Sequence, residues 1–333
     1  MLLSIIIVSY NTQKLTTDAL KAVISEVKNS KLLSGNSEVI LVDNNSSDQS
    51  LAQASQLFKT IHPQILHFQK IANKKNLGFS KANNQGIQKS HGKYILLLNS
   101  DTIVQNKALE KLVKTFELTP IDESTAHLSS EHTVSDRLGI LASTLLNSDG
   151  TLQPQGGSLP TLFSLLCQMF FLDDLPFFGK YLPSTQHTGK NFQNLSSPTG
   201  DDIRLQKMGW VGGTAMMIRK EVIDEIGLLD EKIFMYAEDI EFCVRARDHH
   251  WDIAIHPQAY ITHFGSASSS SENAILGEIR GYLYIWAKHK PFWQMNIVRS
   301  LLVIGVYLRI FLFGVLLRDS KRANIYKKAI SSL

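Results

Sequence analysis

The chain has 333 residues, of which 44% are hydrophobic and 19% charged, a composition that indicates a globular protein with a substantial core and excludes a disordered or fibrous one. A net charge of +4 does not predict a nucleic-acid partner, although it suits a small anionic ligand or an anionic membrane surface. The two cysteines, Cys167 and Cys243, stand far apart in apolar surroundings, which excludes a disulfide framework and predicts buried thiols in a reducing cytoplasm.

Alternating apolar strands and helices are predicted over the first third of the chain. A β-branched run from Leu3 to Val8 predicts a strand buried on both faces, and no basic segment precedes it, so we expect a strand there and not a secretory signal. A helix is predicted over 15–27, and further strands over 38–43, near 65–68 and over 94–98. This alternation is typical of a parallel α/β sheet with right-handed crossovers.

Polar side chains follow three of these strands, at the edge where parallel sheets collect ligands. They are Ser9 with Asn11, Asp43, and Asn99 with Asp101. Asp43 has the chemistry to accept hydrogen bonds from a ribose hydroxyl or a base, or to cap the turn that follows it, and one residue can do both. Neither a GxGxxG motif nor a P-loop follows the first strand, which disfavours a dinucleotide fold and a P-loop enzyme.

Residues 74–86 form the next dense polar patch. Its lysines, Lys74, Lys75 and Lys81, are interpreted as solvated loop cations, with phosphate or base contact as the alternative. Asn76, Gly78 and Asn83 interrupt an otherwise smooth helix entry and are therefore candidates for ligand binding.

Asp101 comes directly after a buried strand, where a carboxylate needs solvent, an ion pair or a bound cation. Hard divalent ions such as Mg²⁺ and Mn²⁺ take oxygen ligands and commonly join a carboxylate to a diphosphate. Asp101 is therefore the best metal candidate in the first half of the chain.

The middle of the chain changes character several times. A surface excursion is predicted over 119–137, a strand over 139–146, a loop over 150–160 and a mobile polar connection over 186–206. The unusually apolar stretch 161–182 fits either an amphipathic helix pair packed on the sheet or a flap facing membrane or lipid near an acceptor site. A strand over 210–218 contains Gly212 and Gly213, which would let a ligand approach its backbone.

An acidic helix start follows, at Glu238, Asp239 and Glu241. Apolar residues at 240, 243 and 244 recur at helical spacing, so the three acids crowd into the first turn. Acids are favoured there by the positive end of the helix dipole. The alternative is a carboxylate general base at the mouth of a pocket.

Taken together, several motifs resemble those of inverting glycosyltransferases of family 2 with the GT-A fold, and among them the bacterial rhamnosyltransferase-like enzymes of cell-surface polysaccharide assembly. The resemblance covers roughly residues 1–270 and is carried by VSYN, VDNNSSD, NLGFSKANNQG, LLLNSDT, GWVGGTAMMIRKEV, GLLDEKIFMYAEDIEFCVRAR and HPQAYITHFGSAS. The metal motif of such enzymes usually ends in aspartate. Here it reads Asn99-Ser100-Asp101, which leaves Asp101 as its carboxylate. A QxxRW signature is absent from the sequence, which argues against a processive synthase.

The resemblance implies a nucleoside-diphosphate sugar donor, a divalent metal (Mn²⁺ or Mg²⁺) and inverting transfer to an acceptor hydroxyl. It assigns the general base to Asp239, with Glu238 orienting hydroxyls, and the metal to Asp101 and His263. Arg245 is expected to pair with Glu241, with a phosphate contact as the alternative, and His256 is interpreted as structural. The residues expected to bind the donor are Ser9, Tyr10, Asn11, Asp43, Asn76, Gly78, Asn83, Asn99, Ser100 and Gly213.

The C-terminal tail is predicted to be helical over 272–288 and strongly apolar over 297–317. A spanning helix needs about 20 apolar residues. A central arginine penalises it by roughly 2.5–3.5 kcal/mol, and Arg299 and Arg309 interrupt this segment. With aromatic and basic flanks, a helix lying on the cytoplasmic membrane surface is favoured over a single span, and a span over a buried core helix.

We therefore expect an α/β protein of GT-A type, with a Rossmann-like, mostly parallel sheet flanked by helices. The expected units are a nucleotide-binding half (1–118), an acceptor and catalytic half (119–270, with an apolar insertion at 160–206) and a membrane-associating helical tail (271–333). The expected activity is transfer of one sugar, rhamnose favoured, from a dTDP- or UDP-sugar to a lipid-linked glycan, and a homodimer is compatible with the sequence. The rival hypotheses are a nucleotidyltransferase, disfavoured without a Gly-rich basic loop after the first strand, and a non-catalytic sugar-nucleotide-binding subunit.

Overall fold

The computed structural model describes residues 1–119, 121, 137–186, 205–265 and 271–333. The predicted surface excursion and the predicted polar connection lie almost entirely outside these ranges, as do residues 266–270.

A parallel sheet forms first, because its strands are continuous apolar runs that helices cover on both faces. Strands β1 and β2 are buried almost throughout, as predicted. The parallel order is β3-β2-β1-β4. The elements are β1 (Leu3–Ser9), α1 (Gln13–Asn29), β2 (Ser37–Asp43), α2 (Ser50–Phe58), β3 (His67–Ala72), α3 (Phe79–Lys89) and β4 (Tyr94–Asn99).

The second half of the chain extends the same sheet beyond β4. The order continues β4-β11-β6-β12-β5, with β11 and β5 antiparallel to their neighbours and β6 parallel to β12, so the sheet is mostly parallel, as predicted. The elements are β5 (Thr102–Val104), α4 (Ala108–Leu118), β6 (Leu138–Leu146), β7 (Leu152–Gln153), β8 (Gly156–Gly157), α5 (Leu162–Met169), β9 (Gln206–Lys207), β10 (Trp210–Val211), β11 (Ala215–Arg219), α6 (Lys220–Ile226), α7 (Glu238–Asp248) and β12 (Asp252–His263).

Several predicted boundaries were wrong. The strand expected near 65–68 is β3 at 67–72, an edge strand with one neighbour, where polar residues can continue the strand without being buried. The single strand expected over 210–218 is split into β10 and β11 by residues 212–214, and the loop expected over 150–160 contains β7 and β8. Strand β12 continues past Pro257 because of an irregularity in its pairing between His256 and Tyr260.

Two apolar cores lie on the two faces of the sheet. One contains the inward residues of α1, α2 and α4, and the other those of α3, α6 and α7. Cys243 is in the second core and Cys167 is fully buried in α5, which confirms the prediction of buried thiols.

The C-terminal helices build a third core outside the sheet, together with α5. They are α8 (Ser271–His289), α9 (Gln294–Phe311), which runs into a π-helical turn at Leu312–Leu316, and α10 (Ser320–Ala329). Of the two alternatives for 161–182, the helix pair packed on the sheet was wrong, because the only α-helix of this stretch is α5. Helix α5 packs on α9, where its apolar face contacts the core that contains Val298, Leu302 and Val306. The predicted unit boundaries at 118 and 270 stay predictions.

Candidate functional site

A cleft of about 90 Å³ opens beyond the carboxyl ends of β1, β2 and β4. Five of the ten predicted donor-binding residues line it, and backbone and side chains of the segment that precedes α7 form its other wall. The lining residues are Val8, Tyr10, Asn44, Asn76, Gly78, Phe79, Asn99, Ser100, Phe234 and Met235.

The other five predicted residues do not line this cleft, and three of them, Ser9, Asn11 and Asn83, have partners that explain their position. The Ser9 hydroxyl lies 3.2 Å from that of Thr12, in a buried group of hydroxyls at the end of β1. The side-chain oxygen of Asn11 accepts a hydrogen bond from the Ser47 N–H at 2.7 Å, and the Asn83 side chain donates to the Phe79 carbonyl at 2.9 Å. Their assignment to donor binding stays a prediction.

Asp43 lies at the end of β2 with its two carboxylate oxygens in different situations. One oxygen accepts the Ser46 N–H at 3.1 Å and so caps the turn, as one of the two interpretations expected. The other oxygen is buried without a hydrogen-bond partner among the residues that the structure describes. A buried acceptor of this kind favours a donor from a ligand.

Asn44, which the sequence did not single out, organises the cleft. Its amide nitrogen donates to the Asn76 side chain at 2.8 Å and to the Gly78 carbonyl at 3.2 Å, and its oxygen accepts the Leu77 N–H at 3.0 Å. An Asn in a turn after a strand was the available signal, but turn propensity alone gives it no ligand role.

Gly78 is needed where the cleft meets the segment before α7. Its φ is +86°, and a Cβ there would lie 2.5 Å from the Phe234 carbonyl oxygen. That oxygen accepts the Phe79 N–H at 2.7 Å, so the start of α3 is fastened directly to Phe234.

Asp101 and His263, the predicted metal ligands, are neighbours. The Nε2 atom of His263 lies 3.3 Å from Oδ1 of Asp101. They meet because β5 pairs with the end of β12, where His263 lies opposite Thr102 and the Phe264 N–H donates to the Asp101 carbonyl at 3.0 Å. The Asp101 carboxylate is fully buried and the His263 ring is mostly so.

Two glutamines that the sequence analysis missed link this pair to the acidic helix. Gln153 Oε1 lies 2.7 Å from Nδ1 of His263, and Gln155 donates to the Gly212 carbonyl at 3.4 Å. A Cβ built on Gly212 would lie 3.4 Å from Oε1 of Gln155 and 3.7 Å from Oδ2 of Asp239, so both side chains approach Gly212 closely. One short segment therefore contacts His263 through Gln153 and, through Gln155, the Gly212-Gly213 backbone that donates to Asp239.

Asp239 is fixed by backbone N–H groups on both of its oxygens. One accepts the Gly213 N–H at 3.1 Å and the other the Ile240 N–H at 2.8 Å. Gly213 thus contacts Asp239 rather than the cleft. Asp239 keeps partial exposure, whereas Glu238 is buried and its Oε2 has no hydrogen-bond partner in the described parts of the chain.

The electrostatics of this acid pair follow from the burial. Burial, and then the neighbouring charge of Asp239, raise the pKa of Glu238 well above its ordinary value. Burial also raises the pKa of Asp239, although hydrogen bonds from Gly213 and Ile240 oppose the shift. The two adjacent carboxyls therefore disfavour a charge on both at once, and the N–H donors favour the charge on Asp239 and the proton on Glu238.

A strained turn delivers the two acids to this place. Tyr236 and Ala237 have φ values of +69° and +73°, in the left-handed region that costs non-glycine residues energy. Helix α8 covers the turn: a Cβ on Gly277 would lie 2.7 Å from the Tyr236 ring, and one on Gly281 would overlap Ala237 Cβ. The absence of side chains at these two helix positions lets α8 hold the turn.

Glu241, the third acid of the turn, has a structural role. Its buried carboxylate pairs with Arg245 at 2.9 Å, as predicted, and with Lys288 at 2.7 Å and His289 at 3.0 Å. Burial alone would raise the pKa of Glu241, but hydrogen bonds from Arg245 and Lys288 hold it below its ordinary value. This cluster fastens the first turn of α7 to the end of α8.

His256 lies buried in β12, as a structural residue would. Burial, helped by the charge of Lys111, lowers the pKa of His256 to about 4, so its ring is neutral.

A larger cavity, about 400 Å³, shares Phe234 and Met235 with the cleft. It lies between the segment before α7 and helix α8, where Lys232 and Arg280 supply positive charge.

Comparison with known sequences finds similar glycosyltransferases. Residues 4–126 match the family model of glycosyl transferase family 2. The low-salt glycan biosynthesis hexosyltransferase Agl10 of Haloferax volcanii is 28% identical over 250 residues, 74% of this chain and 61% of that protein. The N-acetylglucosaminyl-diphospho-decaprenol L-rhamnosyltransferase of Mycobacterium tuberculosis is 22% identical over 161 residues, 47% of this chain and 48% of that protein. The chain thus matches about half to three fifths of these relatives' length.

Solved structures share the fold at low sequence identity. The mannosyltransferase PcManGT of Pyrobaculum calidifontis, in complex with GDP-Man and Mn²⁺, superposes with a TM-score of 0.54 and 11% identity, over 99% of this chain and 74% of that one. GalNAc-T7 with UDP, GalNAc and Mn²⁺ gives 0.56 and 13%, over 99% and 54%. TarS of S. aureus gives 0.50 and 15%, over 95% and 44%. The predicted GT-A fold is thereby confirmed.

Proposed function

We propose, from the match of residues 4–126 to the family model of glycosyl transferase family 2, that the chain is an inverting glycosyltransferase that moves one sugar from a nucleoside diphosphate to a hydroxyl of a lipid-linked glycan. One observation carries the proposal. The Asp101–His263 pair is joined through Gln153 and Gln155 to the segment that holds Asp239, so groups suited to a leaving diphosphate and to a base lie in one connected site.

The cleft and the relatives favour the donor class. Asp43 offers a buried acceptor at the carboxyl edge of the sheet, and Tyr10 and Asn76 line the cleft beside it. The relatives named above include a hexosyltransferase and a rhamnosyltransferase, and two of the solved neighbours are complexes, one with GDP-Man and one with UDP. We propose a dTDP- or UDP-sugar, with rhamnose as the first sugar to test.

Asp101 and His263 fit a divalent metal ion. A carboxylate oxygen and an imidazole nitrogen converge, and Gln153 holds the other ring nitrogen, which is the usual way that a protein orients a histidine ligand. Over the described ranges no group of three or more His, Cys, Asp or Glu side chains converges, so water and the donor diphosphate would complete the coordination shell. A bound Mn²⁺ or Mg²⁺ would offset the negative charge of the departing diphosphate.

Asp239 accepts the proton in the proposed reaction. The acceptor oxygen forms a bond to the anomeric carbon while the bond from that carbon to the diphosphate oxygen breaks, and the configuration inverts. The hydroxyl proton passes to Asp239, whose position is fixed by the N–H groups of Gly213 and Ile240. Glu238, in its protonated form, orients hydroxyls.

The acceptor is proposed to enter through the larger cavity beside Phe234 and Met235. It adjoins the turn that carries Asp239, and Lys232 and Arg280 suit an acceptor that bears phosphate. A lipid-linked acceptor also requires a location at the membrane, and we propose the cytoplasmic face.

Purified protein tests the proposal with a panel of nucleoside-diphosphate sugars, in Mn²⁺, Mg²⁺ or EDTA, by release of the nucleoside diphosphate. We expect metal-dependent turnover that Asp239→Asn lowers at least about 100-fold while donor binding, read by thermal stabilisation, survives. Asp248→Asn, an exposed acid on the same helix, is the matched control. Donor binding without turnover in the wild type would instead support a non-catalytic subunit, and unimpaired Asp239→Asn turnover would refute the base assignment.

A further inference from the structure

Helix α9 is apolar on both of its faces. One face is buried against α5 and α8 and consists of Val298, Leu302, Gly305, Val306 and Arg309. The opposite face is open to solvent and carries four large apolar side chains, since Ile297, Ile304, Tyr307 and Phe311 are each 41–55% exposed. The exposed polar residues of α9 lie in its first half, at Asn296, Arg299 and Ser300. A helix on the surface of a soluble domain normally carries polar residues on its outer face.

More apolar side chains extend this outer face at both ends and beside it. We call the whole set the apolar outer surface. Besides the four α9 residues above, it contains Phe292 and Trp293 before α9, Val315, Leu316 and Leu317 after it, and Phe163, Phe177, Phe178 and Tyr181 from the neighbouring α5 segment. Exposed large apolar side chains grouped in this way mark an interaction surface.

Arg309, whose charge argued against a membrane-spanning helix, is not on this surface. Its guanidinium donates to the Met169 carbonyl at 2.8 Å and to the Gln168 carbonyl at 2.7 Å, at the C-terminal end of α5, and stacks 4.3 Å from the Phe171 ring. Gly305 packs just as closely, since a Cβ there would lie 2.7 Å from the Met169 sulfur. Helix α9 is therefore clamped to the body of the protein along its inner face.

Polar groups under α9 oppose a spanning arrangement. Glu278 accepts a hydrogen bond from Gln168 at 2.8 Å, and the Tyr282 hydroxyl lies 2.9 Å from Gln168. If α9 crossed the bilayer while clamped to α5, these groups would enter the hydrocarbon with it, at high cost. Helix α9 and its π-helical turn together run 23 residues, from Gln294 to Leu316, which is long and apolar enough to cross a bilayer. The packing of α9 against α5 argues against such a crossing.

Charge identifies what covers the apolar outer surface. From Lys290 to Leu333 the sequence has seven Lys or Arg residues besides the buried Arg309, and a single acid, Asp319. A second copy would bring these like charges together, whereas an anionic leaflet attracts them. We propose that α9 lies in the plane of an anionic phospholipid bilayer, with the apolar outer surface in the lipid and the clamped face on the protein. This refines the proposed membrane location and does not depend on the transferase activity.

Vesicle flotation tests the surface. The purified full chain should float with vesicles of phosphatidylcholine and phosphatidylglycerol and bind phosphatidylcholine alone at least tenfold more weakly. The double variant Ile304→Asp, Phe311→Asp should lose at least tenfold in binding at unchanged thermal stability, because both side chains point away from the core. Leu118→Asp makes the same change at an 81% exposed site on α4 and should bind as the wild type. A wild type that ignores vesicles but sediments as a dimer broken by the double variant would overturn the proposal in favour of a second copy.

Labelling separates a helix in the plane from a span. Asn296→Cys and Lys321→Cys place thiols at exposed sites before and after the apolar segment, and the native Cys167 and Cys243 are buried. In inverted membrane vesicles, a membrane-impermeant maleimide should label both variants. Labelling of one variant only, until detergent is added, would establish a span and refute the proposal. Neither readout uses turnover, so a failure here leaves the transferase proposal standing.

Discussion

His263 Nε2 lies 3.3 Å from Asp101 Oδ1, and the other ring nitrogen of His263 lies 2.7 Å from Gln153. The side-chain amide of Gln153 thus orients the ring through the nitrogen that does not face Asp101. Such an arrangement is typical of histidines that bind metals.

We therefore expect Gln153→Ala to weaken the apparent affinity for Mn²⁺ by about 10–100-fold without unfolding the protein. The measurement is a Mn²⁺ titration of thermal stability in the presence of a nucleoside diphosphate, which requires no turnover. Gln56→Ala, at an exposed glutamine of α2, is the control. Equal Mn²⁺ affinity in wild type and Gln153→Ala would show that Gln153 does not position a metal ligand.

The acid pair at the start of α7 makes opposite predictions for its two members. Burial and the Asp239 charge raise the pKa of Glu238 well above its ordinary value and so favour its protonated form, which Glu238→Gln copies. We expect Glu238→Gln to keep turnover within about tenfold of the wild type near pH 7.5, while Asp239→Asn loses at least about 100-fold. Rates measured from pH 5 to 9 check this.

The same profile has a second expected feature. Burial raises the pKa of Asp239, so wild-type turnover should fall as the pH drops through a value above that of an ordinary aspartate, where the base becomes protonated. A Glu238→Gln enzyme as inactive as Asp239→Asn would instead assign the base to Glu238.

Glu26 predicts a pH dependence of stability away from the site. This α1 side chain accepts the Leu109 and Glu110 N–H groups at 2.7 and 3.1 Å, and burial raises its pKa to about 7. A folded pKa above the unfolded one means that the folded state holds the proton more tightly. The stabilising contribution is then complete below the unfolded value of 4.5 and is lost as the pH rises to about 7.

Glu26→Gln keeps the acceptor oxygen and removes the ionisation. We expect it to raise the melting temperature by at least about 2 °C at pH 8 and by clearly less at pH 5. Glu221→Gln, an exposed change on α6, should show no such difference between the two pH values. A Glu26→Gln gain that is equal at both pH values would contradict the raised pKa of Glu26.

Gly281→Ala tests the contact between α8 and the strained turn. A Cβ at this position overlaps Ala237, so the helix or the turn must move, at a cost of about 1–3 kcal/mol. Because the same turn sets the place of Asp239, we expect turnover to fall at least tenfold under conditions where the protein remains folded. Gly314→Ala is the matched control, since its Cβ meets only Ala323, at an ordinary 3.5 Å. Full activity in Gly281→Ala would separate the turn from catalysis.

The sequence predicted the parallel strands well, because β1, β2 and β4 are continuous apolar runs that only a doubly covered sheet accommodates. The meeting of Asp101 with His263 was expected from the family resemblance, and β5–β12 pairing brings it about. Gln153 and Gln155 were missed because isolated glutamines in a segment rich in glycine and proline carry no periodic signal.

The partners of Arg309 and α5 could not be predicted from the sequence, because they are distant in the chain. Local hydropathy counts Arg309 as a charge in an apolar helix, yet the carbonyl groups that bind it belong to α5, far away in the chain. Similarly, the placement of α5 on α9 rather than on the sheet depends on which apolar face is free, and a single helix does not encode its partner.

Helix α8 is common to both ends of the molecule. Its glycines Gly277 and Gly281 contact the turn before Asp239, and further along α8 packs beside α9. One helix of 19 residues, about 28 Å long, therefore connects the proposed catalytic turn to the proposed membrane-binding helix. With α9 on the bilayer as proposed, the height of the cleft above the lipid headgroups would be a fixed dimension of the molecule. An acceptor whose glycan is much shorter or longer than that distance would place its hydroxyl too low or too high to reach Asp239. The protein would then select acceptors by the length of their glycan.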